Sequence, residues 1–124
     1  MIQLNYGDKL RLLCTFQHKG AAYSGAKIHA AIGNKGAFGF DEILWNEVTV
    51  NGIKDDVAWY NYSITIDIPI TTAIQAGKSY TVYAKLMSIP GDDIFWEGPE
   101  KDIQIGEPTG EALFQNLTVQ YQKA

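Results

Sequence analysis

Two histidines, one cysteine, fourteen carboxylates and three tryptophans are the side chains of this 124-residue chain from which a site could be built. A zinc centre takes about three or four ligands, mostly imidazole and thiolate. It would therefore have to draw together His18, His29 and Cys14, the full supply of both residue types. Their neighbours argue against it. Leu10, Leu12, Cys14 and Phe16 alternate with Arg11, Leu13, Thr15 and Gln17, which puts the cysteine on the inward row of a strand, where it serves as a small hydrophobe. A nucleophilic thiol needs exposure and an activating partner. His18 closes this strand and His29 falls on an outward position of the next, so both are expected as solvated surface residues. Neither a catalytic nor a metal-ligating residue is assigned, and no cofactor is expected.

Eight of the fourteen carboxylates fall in pairs or near-pairs: Asp41-Glu42, Asp55-Asp56, Asp92-Asp93, and Glu97 with Glu100. Glycosidic acid–base chemistry needs two carboxyl groups roughly 5 to 10 Å apart across a cleft. Adjacent residues on a strand point to opposite faces, so neighbours in sequence are not a pair in space. Asp55-Asp56 and Gly91-Asp92-Asp93 could offer loop oxygens to a calcium ion, but neither has the regular Asp/Asn spacing of a calcium-binding loop. Solvated turns are the expectation.

Gly77-Lys78-Ser79 matches the end of a phosphate-binding loop, yet Thr72 stands where that motif needs its first glycine, and a strand pattern follows where it needs a helix. The glycine-rich stretch 33–39 lacks dinucleotide-fingerprint spacing and any surrounding βαβ unit. It reads as a loop at one end of the fold, where recognition residues often sit. Phe38 and Phe40 near its tip are candidate partner-binding residues. So are Trp59 and Tyr83: if these two share an outer face, they form an aromatic platform for a sugar ring or another subunit. Trp45 and Trp96 are expected to fill the two ends of the core, as this residue type is commonly buried. Asn61-Tyr62-Ser63 and Asn116-Leu117-Thr118 match the glycosylation acceptor pattern, which carries weight only in an exported chain.

Strands must position these residues, because period-two alternation dominates the chain. Tyr60, Tyr62, Ile64, Ile66 and Ile68 alternate with Asn61, Ser63, Thr65 and Asp67. Inward rows are also expected at Ala26, Ile28, Ala30 and Ile32, and at Tyr80, Val82, Ala84 and Leu86, with Tyr83 and Met87 as apolar exceptions on the outer face. Further strands are predicted over 43–50, 94–97, 101–105 and 111–124. Turns are expected at Lys19-Gly20, Asn34-Lys35-Gly36, Pro90-Gly91-Asp92-Asp93 and 106–110, and a loop at Asn51-Gly52. A single helical turn is expected at 71–76. Seven to eight short strands with regular turn signals predict an all-β fold: one antiparallel β-sandwich domain spanning 1–124, with a closed barrel as the alternative.

Gly7-Asp8-Lys9-Leu10 leading into an alternating strand and Gly20 resembles the start of immunoglobulin-like modules of phage virion and bacterial surface proteins. Ala76-Gly77-Lys78-Ser79-Tyr80, running into Thr81-Val82-Tyr83, is similar to the turn that delivers their last strands. The resemblance implies an immunoglobulin-like sandwich and, by analogy, a structural or adhesive role. With Cys14 alone the chain departs from the disulfide-bridged antibody type.

Composition narrows the function classes. Mass scaling predicts about 6,600 Å² of folded surface against about 20,000 Å² unfolded, enough for one core. A net charge of −4 disfavours a nucleic-acid partner, and no apolar run reaches bilayer length. Met1 to Asp8 has no signal-peptide pattern, so a chain starting natively at Met1 would fold in the cytoplasm. The expectation is a non-enzymatic structural or assembly protein. A phage virion component fits best (capsid decoration, head–tail or tail protein), contacting protein partners through self-association or a virion lattice. The alternative is a glycan- or protein-binding module of a bacterial surface or secreted protein.

Overall fold

Alternating residues become strand along most of the chain. In the computed structural model, which describes residues 2–106 and 116–123, eight strands form two sheets. They are β1 (Ile2–Leu4), β2 (Lys9–Gly20), β3 (Ala26–Gly36), β4 (Gly39–Val50), β5 (Asp56–Pro69), β6 (Ser79–Ser88), β7 (Ile94–Glu97) and β8 (Lys101–Ile105). The larger sheet runs β1-β8-β6-β3-β4, with β7 also on β6; the smaller is the antiparallel pair β2-β5. β7 and β8 follow one another along the same edge of β6, pairing with residues 85–87 and 79–82 respectively. An all-antiparallel fold was expected. β1 departs from it by pairing in parallel with β8, because the chain passes from β1 through the short turn at residues 5–8 into the other sheet.

The inward rows of the two sheets meet in one core. β3 supplies Ile28, Ala30 and Ile32, β5 supplies Ile66 and Ile68, and β8 supplies Ile103 and Ile105, all buried. The predominance of isoleucine suits strands, whose pleated surface accommodates a branched Cβ. The Asn46 Nδ2 group donates to the Asp67 carbonyl at 2.9 Å, linking β4 to β5 across the sheets. At the base, the Tyr6 hydroxyl donates to the Ile74 carbonyl at 2.8 Å and accepts from the Ala76 N–H at 2.9 Å.

Three local expectations are revised. Asn34-Lys35-Gly36 is no turn: β3 continues to Gly36, which pairs with Gly39, leaving Ala37 and Phe38 as the two turn residues. Residues 71–76 form a turn closed by the Ile74 N–H on the Thr71 carbonyl, without a helix. The expected strand over 111–124 lies partly outside the described residues, and its described part, 116–123, has no strand structure. Alternation supplies a strand with two faces but not with a neighbour to hydrogen-bond, and Leu117, Val119 and Tyr121 remain exposed.

Candidate functional site

The outer face of the larger sheet owes its chemistry to one β-bulge. Pairing between β3 and β4 shifts at Ile32/Gly33, so that Ile32 faces Leu44 while Gly33 faces Glu42. The extra residue, Ile43, packs against the core together with Leu44. Regular pairing would have turned Glu42 inward; a one-residue shift exchanges the faces. Glu42 instead meets His29 of β3 and Tyr83 of β6.

His29 is enclosed on this face. Its Nε2 lies 2.7 Å from Glu42 Oε1 and its Nδ1 2.9 Å from Glu47 Oε2. Trp45 stacks on the ring at a centroid distance of 5.6 Å and an interplanar angle of 27°. The Tyr83 hydroxyl donates to Glu42, and Phe40 covers the Tyr83 ring edge-on at 4.4 Å. Burial, followed by the Glu42 contact, pushes the Tyr83 phenol well above its ordinary range. Lys27 Nζ bridges Asp92 at 2.6 Å and Glu47 at 2.9 Å, and its hydrogen bond holds the Glu47 carboxyl below the usual range. Lys85 Nζ stands 4.7 Å from the Tyr83 ring centroid. The result is an aromatic surface, Trp45 outermost, bordered by carboxylates and ammonium groups.

A second polar cluster lies at the far end of β2 and β5. His18 Nδ1 is 2.7 Å from Asp56 Oδ2, and the Tyr62 hydroxyl donates to the same oxygen at 2.7 Å. These two contacts, His18 first, hold the Asp56 carboxyl below the usual range. Tyr62 stacks on Phe16 at 5.6 Å. A carboxyl whose pKa is lower folded than unfolded (about 3.9) stabilises the fold above the unfolded value, and that contribution disappears as pH falls through the folded one. Thermal melting followed from about pH 7 to about pH 2 is therefore expected to decline below roughly pH 4, and Asp56→Asn to flatten part of that decline. An unchanged acid slope in the variant would remove this pair from the acid response.

The sequence-predicted residues are not brought together. Phe38 is fully exposed at the β3–β4 tip, whereas Phe40 is half-buried against Tyr83, itself buried. Trp59 stands on the outer face of the two-stranded sheet, so it shares no face with Tyr83 and the expected platform does not form. The expectation that Trp45 and Trp96 fill the ends of the core fails as well: they are 59% and 74% exposed, beside 66% for Trp59. Isoleucines already fill the interior, and β7 lies at the sheet margin. Tyr60, assigned inward, is also exposed, because β5 there extends beyond the larger sheet.

Both histidines are largely covered and paired with carboxylates, contrary to the solvated surface positions expected for them. The acidic pairs do more than mark solvated turns. Asp55 accepts the Ala22 N–H at 2.7 Å, Asp92 meets Lys27, and Glu100 lies 2.7 Å from Lys35 Nζ. Glu42 is the residue that sequence reasoning missed as an organiser; the glycine opposite it was its one trace. Among the described residues no group of three or more His, Cys, Asp or Glu side chains is arranged to hold a metal ion.

The space between the two sheets is open along one side. Between β2 and the β6–β7–β8 margin runs a groove of about 700 Å³, lined by Leu12, Cys14, Phe16, Ile28, Leu86 and Trp96 among others. Cys14 faces inward as expected, and burial raises its thiol pKa. No protein-family model matches the chain, and no curated protein matches it significantly.

Proposed function

We propose that this chain is a non-enzymatic assembly protein, most specifically a phage virion component of the capsid-decoration, head–tail or tail kind. The observation that carries the reading is the placement of its largest aromatic side chains. Trp45, Trp59, Trp96 and Phe38 all face solvent, on different parts of the surface. Each such side chain offers about 150 to 250 Å² for burial, and Trp and Phe are enriched where proteins meet. Aromatic residues on several faces suit a subunit with more than one neighbour, as in a lattice. Assembly within a virion is the corresponding location.

The strand order supports an immunoglobulin-like reading of the fold. β2 and β5 correspond to the B–E pair, and β4-β3-β6 with β7 and β8 to the C′-C-F-G sheet, with no counterpart of strand D among the described residues. The smaller sheet is consequently narrow.

The test is mass in solution as a function of concentration, by sedimentation or light scattering. Assemblies larger than a monomer are expected. Trp59→Ala and Phe38→Ala should each weaken association about tenfold or more, as loss of an aromatic anchor does, while shifting the melting temperature little, since neither side chain is buried. A monomer at every concentration, alone and with candidate virion partners, would remove this reading.

A second reading has its own observation. Trp45, stacked on His29 and flanked by Glu42 and Glu47, combines a flat apolar surface with hydrogen-bond acceptors, the pairing that holds a sugar ring. Oligosaccharide titration would then quench tryptophan fluorescence and Trp45→Ala would abolish the change; a flat response across a broad panel would exclude it.

A further inference from the structure

We propose that the open groove beside β2 receives residues 117–121 of a second copy of this chain as an added strand. This inference names a partner for the assembly proposed above and rests on that reading. Among the described residues β2 has a strand neighbour on one edge only, since the smaller sheet is the pair β2-β5. Its other edge therefore presents main-chain N–H and C=O groups, the template on which an extended peptide adds by β-augmentation. Below that edge the interior is unfinished. Leu10 is buried, but Leu12, Cys14 and Phe16, the next three residues of the same inward row, are only half-buried. They line the groove opposite Leu86 and Trp96.

The chain carries a segment of complementary form. Leu117, Val119 and Tyr121 alternate with Thr118, Gln120 and Gln122, the period that presents three apolar side chains on one face of a strand. All three are exposed, Leu117 and Tyr121 at 91% and 90%, and residues 116–123 pair with no strand among the described residues. Five to seven residues of strand span about 17 to 23 Å, the length of edge from Leu10 to Phe16. The segment has the pattern of a strand without a sheet, and β2 has the edge of a sheet without a strand.

Topology favours exchange between copies. The chain leaves β8 at Ile105, beside Leu4 at the end of β1. The groove is lined by Ile2, at the other end of β1, and by Trp96 and residues 98–101. Donation to a neighbour is head-to-tail, and such a contact builds a ring or a filament.

Cys14, the sole cysteine, provides the probe. Wild-type chain is mixed with an equal amount of a size-tagged C14S/V119C chain, oxidised with copper–phenanthroline and resolved on a non-reducing gel. Only a bond between Cys14 of one copy and position 119 of the other gives the mixed-size dimer. We expect this band from the V119C chain, and about tenfold less from C14S/T118C, whose thiol points to the opposite face of the strand. Substituting Leu117, Val119 and Tyr121 together by Ser should weaken self-association about a hundredfold or more, with secondary structure by circular dichroism retained. Equal bands from positions 118 and 119, or no mixed dimer, would overturn strand donation. So would a chain carrying both Cys14 and V119C that closes only on itself as a monomer. Assembly without the cross-link leaves the proposed function standing and strand donation refuted; a chain that stays monomeric alone refutes strand donation, and one that also stays monomeric with candidate virion partners removes both.

Discussion

Gly33→Ala is expected to lower the unfolding free energy by about 3 kcal/mol, the upper part of the range for forcing atoms into occupied space. A β-carbon at this position would lie 1.8 Å from the Asp41 carbonyl oxygen, 2.8 Å from its carbon and 3.0 Å from the Glu42 Cα. All three are main-chain atoms of β4, so no rotamer change relieves the contact; the ladder must open or the bulge must move. Moving the bulge by one residue would turn Glu42 away from His29 and Tyr83. The variant should therefore lose both stability and the near-ultraviolet signature of Trp45 stacked on His29. Gly36→Ala is the control: its β-carbon would meet only the Gly39 carbonyl, at 3.3 Å, and the effect should stay below about 1 kcal/mol. Chemical denaturation with circular dichroism measures both, and equal stabilities would refute the steric account.

Ile66→Ala is expected to cost about 3 to 4 kcal/mol, through lost transfer energy and the cavity left behind. Ile66 is 1% exposed and lies in the part of β5 that presses on the larger sheet. The narrowness of the smaller sheet makes the position critical: Ile66 and Ile68 are the buried side chains of β5, and β2 contributes Leu10. Domains of this size hold about 5 to 15 kcal/mol in total, so one cavity here removes a large share. Thr65→Ala, one residue away and facing solvent beside Leu13, should change stability by about 0.5 kcal/mol or less. Urea titration of the two variants provides the comparison; similar midpoints would mean that the two sheets are not held by this contact.

That contrast also marks what was legible beforehand. From Leu10 to Phe16, from Ile28 to Ile32 and from Ile64 to Ile68, parity alone assigned the inward row, because one face of each strand must be apolar wherever a core lies beneath it. The strands over 94–97 and 101–105 were found with their observed bounds. Parity does not say which sheet a strand joins, so it leaves Trp59 and Tyr83 free to share a face. It does not say where one sheet ends over another, so Tyr60 read as buried. Nor does it register a bulge: counting by twos straight through Ile43 misses the extra residue that turns Glu42 outward. The tail was misread for a related reason, since a strand's pattern lies in its own residues while its existence depends on a partner's. The enclosure of His29 was illegible because its carboxylates come from a different strand, at positions that the bulge sets.

The pairing of β1 with β8 joins Ile2 to Ile103, so the first strand finds its neighbour in nearly the last. Closing a loop of about 100 residues brings a large entropy loss before any contact offsets it, and folds rich in such distant pairings form slowly. On a ribosome the wait is longer still: residues 2–4 cannot dock until residue 105 has been synthesised. Meanwhile the hairpin of β3 and β4, joined by a two-residue turn, has its partners close at hand. Order of formation thus runs against order of synthesis at the amino end. Residues 2–4, made about 100 residues before their partner, are among the last to settle, and the margin they border is the last part of the sheet to acquire its final shape.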